Sequence, residues 1–207
     1  MGVRDRRARQ KTLLRQQILD AARELLVREG YERLSMRRVA ERIDYSPTAI
    51  YLHFKNKQDL VFSLCDETFA KLVRELETLP QEIADPLVRL RAGLERYIAF
   101  GLKHPDHYLP AFVLPAPEDL DPKRRQEAMS ADSNGLRALG CLRDCIADGV
   151  RARKLRKVDP DVAARAAWAA IHGVTSLLIV HKSFPWGDQK AVIAATIDAL
   201  VDGLKKR

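Results

Sequence analysis

Apolar residues recur along the chain at helical rather than strand spacing, with no internal repeat. Leu14, Ile18, Ala21, Ala22, Leu25 and Leu26 fall on one face of a first helix, which Gly30 is placed to end through a left-handed backbone. Ser35 then caps a second helix, with Val39, Ala40 and Ile43 inward and Arg37, Arg38 and Arg42 outward. Asp44-Tyr45 interrupts this pattern. Ser46-Pro47 restarts it, serine serving as N-cap and proline as first helical residue, so the spacing predicts a tight turn between two short helices. Asn56 opens a fourth helix whose apolar positions are Leu60, Val61, Leu64, Leu72 and Leu76, and Asp59 completes a shortened capping box.

Beyond Pro80 one start signal repeats: Asp85-Pro86, Asp121-Pro122 and Asp159-Pro160 each set a capping acid before a proline. These predict helices near 86–103, 105–113, 122–153, 160–182 and 187–205, with a proline-rich loop from Leu114 to Asp121. The expected fold is all-α, with about nine helices. An N-terminal three-helix domain at 1–57 is followed by a larger helical domain at 58–207.

Charge sharpens this division. Met1 to Lys57 holds 14 Lys and Arg against 7 Asp and Glu, whereas Gln58 to Arg207 holds 22 against 21, so nearly all of the net +8 lies in the first quarter. Such asymmetry points to a polyanion-binding head on an electrostatically balanced body. The basic N-terminus lacks the apolar stretch of a secretory signal, and no apolar run reaches the roughly 18 residues of a bilayer crossing. A cytoplasmic protein without a membrane partner is expected. Cys65, Cys141 and Cys145 form no CxxC pair, which favours reduced thiols over a disulfide framework or structural zinc.

Leu34 to Lys57 fits a helix-turn-helix, in which the first helix and the turn hold the second at a steep angle for entry into the major groove of double-stranded DNA. Val39, Ala40, Ile43 and Ile50 supply the apolar junction. The second helix exposes Pro47, Thr48, Ala49 and Tyr51. Thr48 suits a base or phosphate hydrogen bond, and Pro47 and Ala49 suit a thymine methyl. The Arg37 fork matches guanine O6 and N7. His53, Lys55 and Lys57, beside the free N–H groups opening the fourth helix, are placed to hold phosphates. Arg4, Arg6, Arg7, Arg9 and Lys11 read as a disordered basic arm adding phosphate or minor-groove contacts.

The runs Ile18-Leu19-Asp20-Ala21-Ala22, Gly30-Tyr31, Ser35 to Ala40 and Ser46 to Leu60 resemble, in order, the DNA-binding domain of the TetR repressor family. Tyr51-Leu52-His53-Phe54-Lys55-Asn56-Lys57 is the most diagnostic stretch. The resemblance implies base contacts at Arg37, Thr48, Ala49 and Tyr51, and phosphate contacts at Tyr51, His53 and Lys57. Two positions depart from the family pattern. Asp44 stands where a turn glycine is common, although Asp tolerates a left-handed backbone better than most residues, and Ala49 stands where glycine is frequent.

The resemblance also implies a homodimer whose C-terminal domain binds a small-molecule effector that alters the spacing of two heads on a palindromic operator. The function expected is ligand-released repression, with constitutive DNA binding as the alternative. Ala163, Ala164, Ala166, Ala167, Ala169 and Ala170 leave the helix around Trp168 slim enough for a symmetric helical interface. Tyr97, Phe100, Tyr108, Phe112, Trp168, His172 and Thr175 recur at spacings that suit an apolar effector pocket. Trp168-x-x-x-His172-Gly173 resembles a C-terminal subgroup of these regulators. His104, His107, Cys141 and Cys145 lie on different predicted elements, so no metal site is expected. No nucleophile and base arrangement or phosphate-binding glycine loop appears, so neither an enzyme nor a cofactor is expected.

Overall fold

The computed structural model describes residues 2–113 and 121–206. In chain order its first six helices are α1 (Val3–Glu29), α2 (Met36–Arg42), α3 (Pro47–Tyr51), α4 (Lys57–Glu77), α5 (Leu79–Glu82) and α6 (Pro86–Lys103). After them come α7 (Pro105–Tyr108), a π-helical turn (Leu109–Val113), α8 (Pro122–Ala128), α9 (Asn134–Arg151), α10 (Pro160–Val180) and α11 (Gln189–Leu204). An isolated bridge between Leu155 and Lys205 is the extended pairing among the described residues, so the all-α expectation holds. Backbone contacts group Met1–Thr68 with Asp106–Glu127 in one unit, and Phe69–Pro105 with Ala128–Arg207 in another.

In the first unit, the apolar stripe of α1 meets Val39, Ala40, Ile50, Phe54, Leu60 and Leu64 in one buried core. Arg23 ties α1 to the middle of α4, binding Glu67 at 2.9 Å, and Asp20 of its own helix at 2.6 Å, from a buried position. Gly30 ends α1 with φ +82° and ψ 172°. That backbone lies in a region close to glycine-only, more extended than the expected left-handed one.

The second unit is built from long amphipathic helices. Ala164, Ala167, Ile171, Val174, Thr175, Leu178 and Ile179 line the buried face of α10, which packs on α6, α9 and α11. By length and apolarity α10 is the described helix that would suffice to cross a bilayer, with Arg165 and Asp161 in its first turns. Its buried face makes it a core helix of this unit. At the end of α9, Gly149 admits the Leu155 side chain so closely that an added Cβ would lie 2.6 Å from Leu155 Cδ1.

Asp85 and Asp159 cap α6 and α10 as expected, accepting from Leu87 N at 2.8 Å and Asp161 N at 2.8 Å. Asp121 does the same for α8 through Lys123 N at 2.8 Å. Three expectations need correction. The basic arm is helical from Val3, so Arg6, Arg7, Arg9 and Lys11 stand on exposed turns of α1. The helix expected at 122–153 is two helices. Ser133 caps the second, accepting from Leu136 N at 3.3 Å, because the polar stretch Ser130-Ala131-Asp132-Ser133 offers backbone hydrogen bonds that compete with helix. Pro80 sits in the first turn of α5, where its missing N–H is no loss. The helix expected at 105–113 changes hydrogen-bond pattern after Tyr108, with Pro110 inside the π turn. The proline-rich loop expected from Leu114 lies, through residue 120, outside the described residues.

Candidate nucleic-acid interface

Local chemistry sets the geometry of α2 and α3. The Ser35 hydroxyl accepts from Arg38 N at 3.3 Å and starts α2. At its end Tyr45 N donates to Ala40 O at 3.0 Å, while Asp44 takes φ +57°, the left-handed conformation that its place in the turn predicted. Ser46 accepts from Ala49 N at 3.3 Å, with Pro47 leading α3. Ile50 is fully buried against α2, which turns Pro47, Thr48 and Tyr51 to the surface and leaves Ala49 half-buried. Tyr51 is 55% exposed and the adjoining Leu52 76%. A phenol and an isobutyl group thus stand exposed to solvent at the end of α3.

The arginines of α2 divide by role. Arg37 is exposed and holds Glu41 at 2.8 Å, an i,i+4 pair of little stabilising weight that leaves the guanidinium free to reorient. Arg38 and Arg42 do not simply face out. Arg38 forks onto Glu29 at 2.6 and 2.7 Å, and Arg42 onto Glu24 at 2.5 and 3.1 Å, so both lock α2 to α1. Those arginines hold the carboxyls of Glu24 and Glu29 below their ordinary range.

Downstream, Lys55 is exposed and His53 half-buried. Burial, then the positive charges of Lys11 and Arg15, hold the His53 imidazole below its usual pKa. Arg15 also stacks its guanidinium 5.0 Å from the centre of the buried Phe54 ring. Lys57 lays its ammonium 3.9 Å from the Tyr31 ring centre and donates to Tyr31 O at 3.1 Å. Lys11 and Arg15 lie four residues apart on one face of α1, so α1 brings cations to His53. Sequence reasoning missed Arg15, Tyr45 and Leu52 as members of this surface. The i,i+4 spacing of Lys11 and Arg15 was the available signal for the first.

In the second unit Trp168 Nε1 donates to the Tyr97 hydroxyl at 3.2 Å, and Tyr97 Oη lies 3.5 Å from His172 Nδ1. The Trp168 and His172 rings are 5.7 Å apart, and burial holds His172 below its usual pKa. Three of the seven expected pocket residues thus meet. Phe100 is buried and sits 5.5 Å from His104, and Thr175 returns its hydroxyl to Ile171 O at 2.6 Å. Tyr108 and Phe112 stack at 4.6 Å within the first unit. Among the described residues no group of His, Cys, Asp or Glu is arranged to hold a metal, and the three thiols are free.

Taken together, a capped helix-turn-helix with an exposed second helix, flanked by cations and joined to long-helix packing, defines a helix-turn-helix protein with a helical C-terminal region. The model for bacterial regulatory proteins of the tetR family matches residues 18–64, and that for the tetracyclin repressor-like C-terminal domain matches residues 90–204, more than half the chain. The chain belongs to the TetR family of bacterial regulators. It is 31% identical over 93 residues to the fatty acid metabolism regulator protein of Bacillus subtilis, a match covering 45% of this chain and 47% of that one. The chain thus spans about half the length of this curated relative. The solved TetR family transcriptional regulator PfmR from Thermus thermophilus superposes with a TM-score of 0.73 at 25% identity, over 91% of this chain and 99% of that one. FadR from Bacillus subtilis, solved in complex with stearoyl-CoA, shares the fold with a TM-score of 0.76 at 19% identity, over 91% and 98%.

Proposed function

We propose that the protein is a sequence-specific, homodimeric DNA-binding transcriptional regulator, a repressor released from a palindromic operator by a small-molecule effector. The observation that carries this reading is the outward face of α3. Pro47, Thr48 and Tyr51 stand exposed next to Arg37, while Ile50 and Phe54 anchor the other side in the core. In this reading Thr48, Ala49, Pro47, Tyr51 and Arg37 read base edges, and His53, Lys55 and Lys57 hold phosphates, joined by Lys11 and Arg15. Because the arm is helical and an α-helix with side chains is about 10–12 Å across, it fits along phosphates rather than into a minor groove about 6 Å wide.

Dimerisation through α10 and α11 is supported by the apolar outer face of α10. Val162, Leu177 and Val180 are exposed there beside Ala166 and Ala169. The Tyr97, Trp168 and His172 cluster is assigned the polar end of the effector, and Trp168-x-x-x-His172-Gly173 marks the subgroup to which the C-terminal domain is referred. Stearoyl-CoA, held by the FadR structure, is the first compound to try.

The test is binding of the full chain to palindromes in the DNA flanking its own gene, with a scrambled duplex as control. Specific binding should be at least about 1000-fold tighter than to the control. Equal affinity for both duplexes refutes sequence-specific regulation, and a complex unmoved by acyl-CoA refutes that effector class.

A further inference from the structure

Residues 106–127 lie within the stretch matched by the C-terminal family model, yet they group with the helix-turn-helix unit. Within that unit Arg124 links α8 to the start of α4. Arg124 Nη2 donates to Asp59 Oδ1, Nη1 donates to Glu127 Oε2 at 2.6 Å, and the guanidinium stacks 4.9 Å from the centre of the Phe62 ring. Gln58 Oε1 also accepts from Asp121 N at 3.3 Å.

Asp59 is buried and both of its carboxylate oxygens are used. Oδ1 takes Arg124, and Oδ2 accepts the backbone N–H of Lys55 at 2.9 Å. Its own N–H donates to Asn56 Oδ1 at 2.8 Å. The backbone between His53 and Lys57 is therefore fixed at Lys55 by a carboxylate whose other oxygen answers to α8.

This arrangement bears directly on phosphate binding. Asp59 places a negative charge at the helix N-terminus where the phosphate would sit, and an unneutralised anion there repels DNA. Arg124 supplies the opposite charge and holds the carboxylate in the orientation that fixes Lys55. Without it a buried carboxylate loses its partner, which costs far more than the loss of a surface pair.

We infer that Arg124 is a positioning residue for DNA binding: through Asp59 it holds the His53–Lys57 segment in its phosphate-binding form. The inference rests on the DNA-binding reading above. It makes α8 the part of the C-terminal sequence that sets the strength of backbone binding, and any displacement of α8 reaches Lys55 without a change in α3.

The experiment measures binding of the full chain to a mixed-sequence duplex of about 40 base pairs across a salt series, since non-specific affinity reports phosphate contacts. Backbone hydrogen exchange at Lys55 and thermal melting are followed on the same samples. Arg124→Ala should weaken binding about tenfold, flatten the salt dependence by about one phosphate contact and expose the Lys55 amide to exchange. Arg124→Lys, which keeps the charge but not the fork, should fall between wild type and Arg124→Ala in all three and serves if the alanine variant does not fold. Adding Arg124→Ala to Asp59→Asn should cost less than it does alone, because the two act through one contact. A folded Arg124→Ala or Arg124→Lys protein with wild-type affinity, salt slope and Lys55 protection overturns the inference while leaving DNA binding intact. A wild-type protein that binds no duplex overturns the DNA-binding reading and this inference with it.

Discussion

The two short helices α2 and α3 and the helices of the second unit solve different problems. α2 and α3 have seven and five residues, too short to persist alone, because helix nucleation is costly and short helices are marginal in water. They exist because each has a serine N-cap and because Ile50 and Phe54 anchor them in a shared core. α6, α9 and α10 run 18, 18 and 21 residues; Asp85, Ser133 and Asp159 cap them too, but most of their length is held by packing rather than by its ends. Where an element is short, its ends are its identity; where it is long, its neighbours decide which face does what. A surface built from short capped elements is thus written locally, and a site among long helices is not.

The sharpest way to break this contrast is to remove an anchor from each region. Phe54 is 1% exposed, and Phe54→Ala should cost about 3–5 kcal/mol by cavity formation and abolish DNA binding at ambient temperature. Trp168 is 39% exposed, and Trp168→Ala should cost less than about 1 kcal/mol while altering effector response. Urea unfolding of both variants measures the difference. Equal losses would mean that the short helices depend on their core no more than the long ones do.

The same contrast explains what was legible in the sequence. Ser35, Ser46-Pro47, Asn56 and the Asp-Pro pairs are capping signals that act within four residues, and each opens a helix where expected. Asp44 at positive φ was readable for the same reason. The break between α8 and α9 was written just as locally, in Ser130 to Ser133, but the Asp121-Pro122 start signal was extended across it. The cluster of Tyr97, Trp168 and His172 was not legible as a set. Helical i,i+4 spacing places Trp168 with His172 and Tyr108 with Phe112, but that Tyr97 joins the first pair depends on which helices pack, and no residue spacing encodes that. Arg38 and Arg42 likewise look identical to Arg37 until α1 brings Glu29 and Glu24 to them.

That division among the α2 arginines gives the next test. Arg37→Ala should lose about 1–3 kcal/mol of discrimination at one base pair and leave non-specific binding nearly unchanged. Lys57→Ala should instead weaken binding to all sequences and reduce the salt slope by about one contact. Titrations of each variant against single-substituted operators across salt concentrations separate the two. A Lys57→Ala protein with an unchanged slope would reduce Lys57 to its packing on Tyr31.

A smaller effect is expected at the turn. Asp44→Val sets a β-branched side chain at φ +57° and should cost about 1–2 kcal/mol, whereas Asp44→Gly should be no less stable than wild type. Thermal melting of the pair checks it, and a valine variant as stable as the glycine one would show that the turn opens without cost.

The smallest effect compares the two depressed histidines. Burial lowers His53 and His172 alike, so the unfolded chain binds protons more readily than the folded one at both positions. Stability is therefore greatest above the ordinary histidine range and declines as pH falls through it toward the lowered folded values, below which the loss is complete. Glu24 and Glu29 act later, since their stabilisation is present above the ordinary glutamate range and is lost as pH drops through their lower folded values. DNA should separate the two histidines. With His53 in the proposed phosphate-binding role, a phosphate beside it would favour the imidazolium, so affinity should rise as pH falls from about 8 to 6, by at most about tenfold per unit for one proton. His53→Gln should flatten this rise, whereas His172→Gln should leave it unchanged and remove only its share of the stability loss. A pH dependence of DNA binding that survives His53→Gln would move the proton uptake elsewhere and take His53 out of the phosphate-binding set.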